Sequence, residues 1–89
     1  MPAYHIIIKG RVQGVFYRAS AKEMADKAGV KGWIRNTPEG DVEAVVTGTE
    51  EEVQQFIQWC KKGPSGAKVT DVIASQQDEI LFVDFSIMR

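Results

Sequence analysis

Hydrophobic and polar positions along this chain change period from block to block, and each block predicts an element. His5-Ile6-Ile7-Ile8-Lys9 is apolar on both of its faces, as a strand inside a sheet requires, and it ends at Gly10. Beyond Gly14 the period becomes helical. Ala21, Met24, Ala25 and Ala28 fall at i, i+3, i+4 and i+7, while Lys22, Glu23, Asp26 and Lys27 take the other side. Gly29 suits the left-handed residue that closes a helix. Residues 30–36 read as a strand, and residues 42–47 as the strand that returns beside it. Between them Thr37-Pro38-Glu39-Gly40 has Pro second and Gly fourth, which suits a type I hairpin turn. A second helix opens at Thr49-Glu50-Glu51-Glu52, a capping box in which Thr49 covers the third helical amide and Glu52 reaches back. Val53, Phe56, Ile57 and Cys60 form its apolar face, and Gly63-Pro64 stops it. Residues 69–75 predict a further strand. Residues 82–87, where Val83, Phe85 and Ile87 alternate, predict a short last one.

The order is βαββαβ with an extra terminal strand, the split βαβ arrangement called ferredoxin-like, in the α+β class. Right-handed crossovers then place both helices on one face of a mostly antiparallel sheet. With 89 residues, no linker and no low-complexity stretch, residues 1–89 are expected to form one domain. Hydrophobic residues at 44% and charged residues at 26% suit a globular core and exclude disorder. Eleven Lys and Arg against twelve Asp and Glu leave a net charge of −1, which argues against holding nucleic acid or a membrane by bulk charge. Cys60 is the only cysteine, so no intrachain disulfide can form, and a reducing, cytoplasmic location is expected. One histidine and one cysteine provide no ligand set for structural zinc. The first residues lack a secretory pattern, and no apolar run reaches the ~20 residues of a membrane helix.

The stretch richest in chemistry is Gly10-Arg11-Val12-Gln13-Gly14-Val15-Phe16-Tyr17-Arg18, between the first strand and the first helix. Glycines let backbone amides turn inward together, and amides beside a helix N-terminus can cradle an anion. Positions 14 to 18 carry no Ser, Thr, Asp or Asn to cap that helix, so its free amides are left for water or a ligand. From the glycine spacing alone, a tight turn serving chain reversal is the simpler reading. The loop lacks the Gly-Lys-[Ser/Thr] ending of a nucleotide P-loop and the Gly-x-Gly-x-x-Gly pattern of a dinucleotide site, so it suits one phosphate. Arg18 can fold back and grip a phosphate with two parallel hydrogen bonds, or lie exposed on the helix. Asn36 can initiate the hairpin turn or orient a water, since its amide both donates and accepts.

Gly10-x-Val12-Gln13-Gly14-Val15-x-Tyr17-Arg18, followed by Gly32-Trp33-Ile34-Arg35-Asn36-x-x-x-Gly40-x-Val42-x-x-x-x-x-Gly48, closely resembles both signature motifs of the acylphosphatase family. Phe56-x-x-Trp59-Cys60-x-x-Gly63-Pro64-x-x-Ala67-x-Val69-x-x-Val72 is similar to that family as well, so the resemblance covers nearly the whole chain. Two departures change only volume: Ile34 stands where a smaller residue is commoner, and Tyr17 where Phe is frequent. The resemblance implies a ferredoxin-like enzyme that hydrolyses acyl phosphates to a carboxylate and inorganic phosphate, with no metal and no cofactor. It implies that Arg18 binds the phosphate together with the backbone of Gly10, Arg11, Val12, Gln13, Gly14 and Val15, and that Asn36 positions the attacking water.

That chemistry is reasonable for these residues. An acyl phosphate is a reactive mixed anhydride with a good leaving group, so orientation and charge stabilisation are the main needs. The motif holds no Cys or His to form a phospho-enzyme and no carboxylate to act as a general base. The substrate phosphate itself can take the proton of the water. His5, Trp33, Trp59, Cys60 and the Glu50–Glu52 turn are read as structure. A ferredoxin-like RNA-binding module is the alternative, but it wants stacking aromatics on the central strands, and Val42-Glu43-Ala44-Val45-Val46-Thr47 has none. The expected partners are a small acyl phosphate and its phosphate product, with no nucleic acid and no membrane. Nothing in the composition demands self-association, so a monomer is expected.

Overall fold

The structure, a computed structural model, describes residues 1–88. Its elements run β1 (Ala3–Arg11), α1 (Tyr17–Ala28), β2 (Lys31–Asn36), β3 (Val42–Thr47), α2 (Glu50–Lys62), β4 (Lys68–Gln77) and β5 (Phe85–Ile87). The strands form one sheet in the order β4-β1-β3-β2-β5, in which every pair is antiparallel except β2 with β5. Both helices contribute their apolar sides to one core, as the ferredoxin-like order requires.

Strand register sorts the side chains. Ile6 and Ile8 lie opposite Ala44 and Val42, and Ile34 opposite Ala44, all fully buried beneath the helices. From above, Ala21 and Ala25 of α1 and Val53, Phe56 and Cys60 of α2 close this layer. The small alanines on α1 let the helix approach the sheet, while α2 supplies the bulk. Phe56 packs on Phe85 of β5 with ring centroids 5.6 Å apart. On the opposite sheet face, His5, Ile7 and Lys9 alternate with the core residues of β1.

The capping box at α2 forms as its residues dictate: Thr49 Oγ1 accepts from the Glu52 amide at 3.2 Å, and Glu52 Oε1 accepts from the Thr49 amide at 2.9 Å. The hairpin turn closes through Gly40 N donating to Thr37 O at 3.2 Å and Thr37 N donating to Asp41 O at 2.9 Å. Gly29 ends α1 in the left-handed conformation, φ 82°.

β4 and β5 depart from the pattern read along the chain. β4 runs to Gln77, beyond the apolar residues, because its partner β1 continues pairing out to Ala3. β5 is only three residues long, with Val83 92% exposed, so the alternation through 82–87 becomes a strand only where β2 meets it. The contact begins with Gly32 N donating to Asp84 O at 2.8 Å and ends with Met88 N donating to Ile34 O at 2.8 Å. Trp33 is half-buried over Val45 on the helix-free face, whereas Trp59 packs at the core edge against Tyr17.

Candidate active site

β1 hands the chain to α1 through residues 12–16, at the end of the sheet where β2 also stops. A register shift between Lys9 and Gly10 bends β1 just before this loop. Gly10 (φ 124°) must be glycine because a Cβ there would lie 2.1 Å from the Lys68 carbonyl oxygen of β4. Gly10 and Arg11 are therefore still strand, paired with Val69 and Lys68. Val12 turns inward and is buried, which anchors the loop in the core.

The Gln13 side chain points across to the hairpin. Its Nε2 donates to Thr37 O at 2.9 Å and to Asp41 O at 2.7 Å, so one amide ties the loop to both ends of the turn that follows Asn36. Thr37, buried beside it, accepts from the Asp41 amide through Oγ1 at 3.1 Å and stiffens the same turn.

Gly14 has φ 73° and Phe16 has φ 63° and ψ 24°, with Val15 between them at negative φ. Among the described residues Phe16 is the only non-glycine with positive φ. A bulky residue in that conformation costs about 1–2 kcal/mol. Left-handed residues that alternate with residues of negative φ curl a chain so that its amides converge. A Cβ on Gly14 would meet no protein atom within 4 Å. A side chain there is opposed by the backbone angle and would project into open space beside the pocket, rather than jam the turn against its neighbours.

α1 then starts with no side-chain cap and no acidic residue in its first turn. Its positive end and orphan amides remain available, unlike those of α2. Tyr17, the first helical residue, holds this start in place. Its ring lies 5.3 Å from that of Trp59, and its hydroxyl donates to Cys60 O at 2.7 Å. Burial pushes the Tyr17 hydroxyl far above its ordinary range and the Cys60 thiol up to about 12, so neither is a nucleophile.

Arg18 is half-buried one residue further on, and its Nη1 donates to Met88 O at 3.3 Å, just past β5. Lys22 donates to Phe85 O at 2.8 Å, so two cations of α1 hold β5 and the residue that follows it by their carbonyls. Asn36 ends β2 on the helix side of the sheet, opposite Val42. Its Oδ1 is buried and has no hydrogen-bond partner among the described residues. A buried, unpartnered amide oxygen is rare and calls for an explanation in a ligand or water.

One pocket of about 450 Å³ brings together Val12, Gly14, Phe16, Arg18, Asn36 and Ile87. It unites Val12, Gly14, Arg18 and Asn36 of the residues singled out in the sequence. Gly10 and Arg11 stay in the ladder, Gln13 braces the hairpin, and Val15 packs half-buried at the core edge. Phe16 and Ile87 enter the pocket without any sequence signal: nothing local marks a left-handed phenylalanine, and Ile87 arrives through the pairing of β5. A larger cavity of about 800 Å³ lies at the opposite end of β4, lined by Gln76, Gln77, Asp78 and Ile80. Among the described residues no group of three or more His, Cys, Asp or Glu side chains is placed to hold a metal ion.

Comparison with known proteins identifies the family. The family model described as acylphosphatase matches residues 4–87. A protein named acylphosphatase from Methylococcus capsulatus is 41% identical over 90 aligned positions, covering 100% of this chain and 98% of that one. One from Pyrobaculum calidifontis is 46% identical over 94% of this chain and 78% of its own. The crystal structure of acylphosphatase from Bacillus subtilis superposes with a TM-score of 0.96 at 37% identity, covering 100% of both chains. Motif, fold and full-length similarity converge, and the chain belongs to the acylphosphatase family.

Proposed function

We propose that this enzyme hydrolyses acyl phosphates by direct attack of water on phosphorus, with the loop, Arg18 and Asn36 in separate roles. The single observation that carries the reading is Asn36 Oδ1, buried and unpartnered in the pocket that also holds Arg18. The phosphoryl group sits against the amides of the loop that follows Gly10 and Arg11, from Val12 through Gln13 and Gly14 to Val15 and the uncapped start of α1. Arg18 grips two of its oxygens with parallel hydrogen bonds; the guanidinium has five donors, and its contact with Met88 O uses one.

Asn36 Oδ1 accepts a hydrogen bond from the attacking water and turns its lone pair toward phosphorus. The water oxygen bonds to phosphorus as the bond from phosphorus to the acyl oxygen breaks. The carboxylate leaves with that electron pair, and the proton passes to a phosphate oxygen, so a dianionic acyl phosphate and water become a carboxylate and dihydrogen phosphate. Arg18 and the amides stabilise the spreading charge, which is most of what phosphoryl transfer asks of a protein. Positive charge for this task comes from the chain itself, and we infer that no metal ion or cofactor is needed. We read residues 1–89 as one domain that acts as a cytoplasmic monomer on a small-molecule substrate, without nucleic acid or membrane.

The test is release of phosphate from acetyl phosphate and benzoyl phosphate by the purified protein, with a phosphate monoester as control and a parallel sample dialysed against a chelator. Both acyl phosphates should be hydrolysed, the monoester should not, and the chelated sample should keep its rate. Activity lost on chelation and restored by zinc or magnesium would sink the mechanism.

A further inference from the structure

Resting on the phosphate placement proposed above, we infer that Phe16 is the specificity-determining wall for the acyl group and that the preferred substrates carry an apolar, above all aromatic, acyl group. Its side chain lines the pocket yet is 83% exposed, at the one non-glycine of positive φ among the described residues. A phenylalanine gains nothing from such a position through packing in the free enzyme, and the backbone there favours glycine or asparagine. What the conformation does achieve is to hold an aromatic surface beside the cradle.

The remaining lining is consistent with that role. At about 450 Å³ the pocket is larger than a lone phosphate needs and falls in the ~300–1,000 Å³ range of ordinary ligand sites. Apart from Arg18 and Asn36, its walls are Val12, Ala19 and Ile87, besides Gly14, Phe16 and Tyr17, whose hydroxyl is occupied by Cys60 O. A charged or strongly polar acyl group would find no side-chain partner on these walls. In-line displacement puts the leaving acyl oxygen on the side of phosphorus away from the water held by Asn36, so the acyl group extends away from β2. Phe16 belongs to the loop, not to β2, and its exposed ring can take an acyl ring in an offset stack.

The experiment compares kcat/KM for benzoyl phosphate and acetyl phosphate in the wild type, Phe16→Ala and Phe16→Asn. The quantity read is the change in the benzoyl-to-acetyl ratio, in which the intrinsic reactivities of the two substrates cancel. Covering roughly 50–60 Å² of apolar surface at ~25 cal/mol per Å² predicts a fall in that ratio of about tenfold in both variants. Inhibition by inorganic phosphate should stay within about twofold, because the cradle and Arg18 are untouched. Asparagine tolerates the left-handed conformation, so Phe16→Asn keeps the loop geometry even if Phe16→Ala disturbs it. A ratio unchanged in both variants, or a loss shared equally by both substrates, would overturn the assignment. Failure of the wild type to hydrolyse either acyl phosphate would overturn the activity itself, and this inference with it.

Discussion

Arg18 and Asn36 line the same pocket, but the proposed reaction uses them at different moments, and their variants should therefore fail differently. Arg18 grips an anion that is present in substrate, transition state and product. Arg18→Ala should damage phosphate inhibition and turnover together. Asn36 acts on the water, so Asn36→Ala should cut turnover by about 10²–10³-fold, typical of losing one preorganised polar group, while phosphate inhibition changes little. Stability separates this role from a purely structural one. Because Asn36 Oδ1 is buried without a partner, removing the amide takes away an unsatisfied group, and the melting temperature should hold or rise. The turnover number, the phosphate inhibition constant and the melting temperature of each variant decide the matter. Near-normal turnover in Asn36→Ala, or a loss of phosphate affinity matching that of Arg18→Ala, would contradict the division of labour.

One step up in scale, the site exists because three elements are tied at one end of the sheet, and Gln13 is the tie between loop and hairpin. Gln13→Ala leaves the Thr37 and Asp41 carbonyls without that donor and lets the cradle drift relative to Asn36. Misplacement of an ångström is worth up to ~100-fold in rate, so kcat should fall ~10–100-fold with a smaller change in KM. Gln13→Asn, one methylene too short to reach, should not rescue it. Equal loss in kcat and in melting temperature-corrected folded fraction would mean that the residue only holds the fold. How much of this was legible from sequence follows the range of each interaction. The α2 capping box, its apolar face and the missing cap on α1 are local, and they appear in the structure as read. The extent of β5 was not legible, because Val83, Phe85 and Ile87 alternate alike and only β2 decides where pairing begins. Gln13 stood among the cradle residues for its backbone, yet its side-chain bonds span 24 and 28 residues, beyond any local pattern. Phe16 escaped for the opposite reason, since its local preference is against the conformation it takes.

At the scale of the whole molecule, the core and the chemistry share one sheet face. The helices and the pocket occupy one face, while the other is held by side chains that the reaction does not use. There Glu43 sits between His5 Nε2 at 2.6 Å and Arg35 Nε at 2.6 Å, with its own side chain only 17% exposed. The hydrogen bond with His5, and after it the contact with Arg35, holds the Glu43 carboxyl below its ordinary value of 4.5 against the opposing pull of burial. A carboxyl that is more acidic in the folded state stabilises fully above its unfolded pKa, and that contribution is lost as pH falls through the depressed folded value. Below both values protonated Glu43 contributes nothing through its charge, and a neutral glutamine in its place should be nearly equivalent. Glu43→Gln should therefore melt at a lower temperature than the wild type near pH 7, and the two curves should converge as the pH falls through the depressed value. Turnover near neutral pH should stay within about twofold of the wild type, because Glu43 faces away from the pocket and Gln13 still braces the loop. Parallel melting curves across the whole pH range would show that the ionised carboxylate does not stabilise this face, and a large loss of turnover would show that the two faces are not independent.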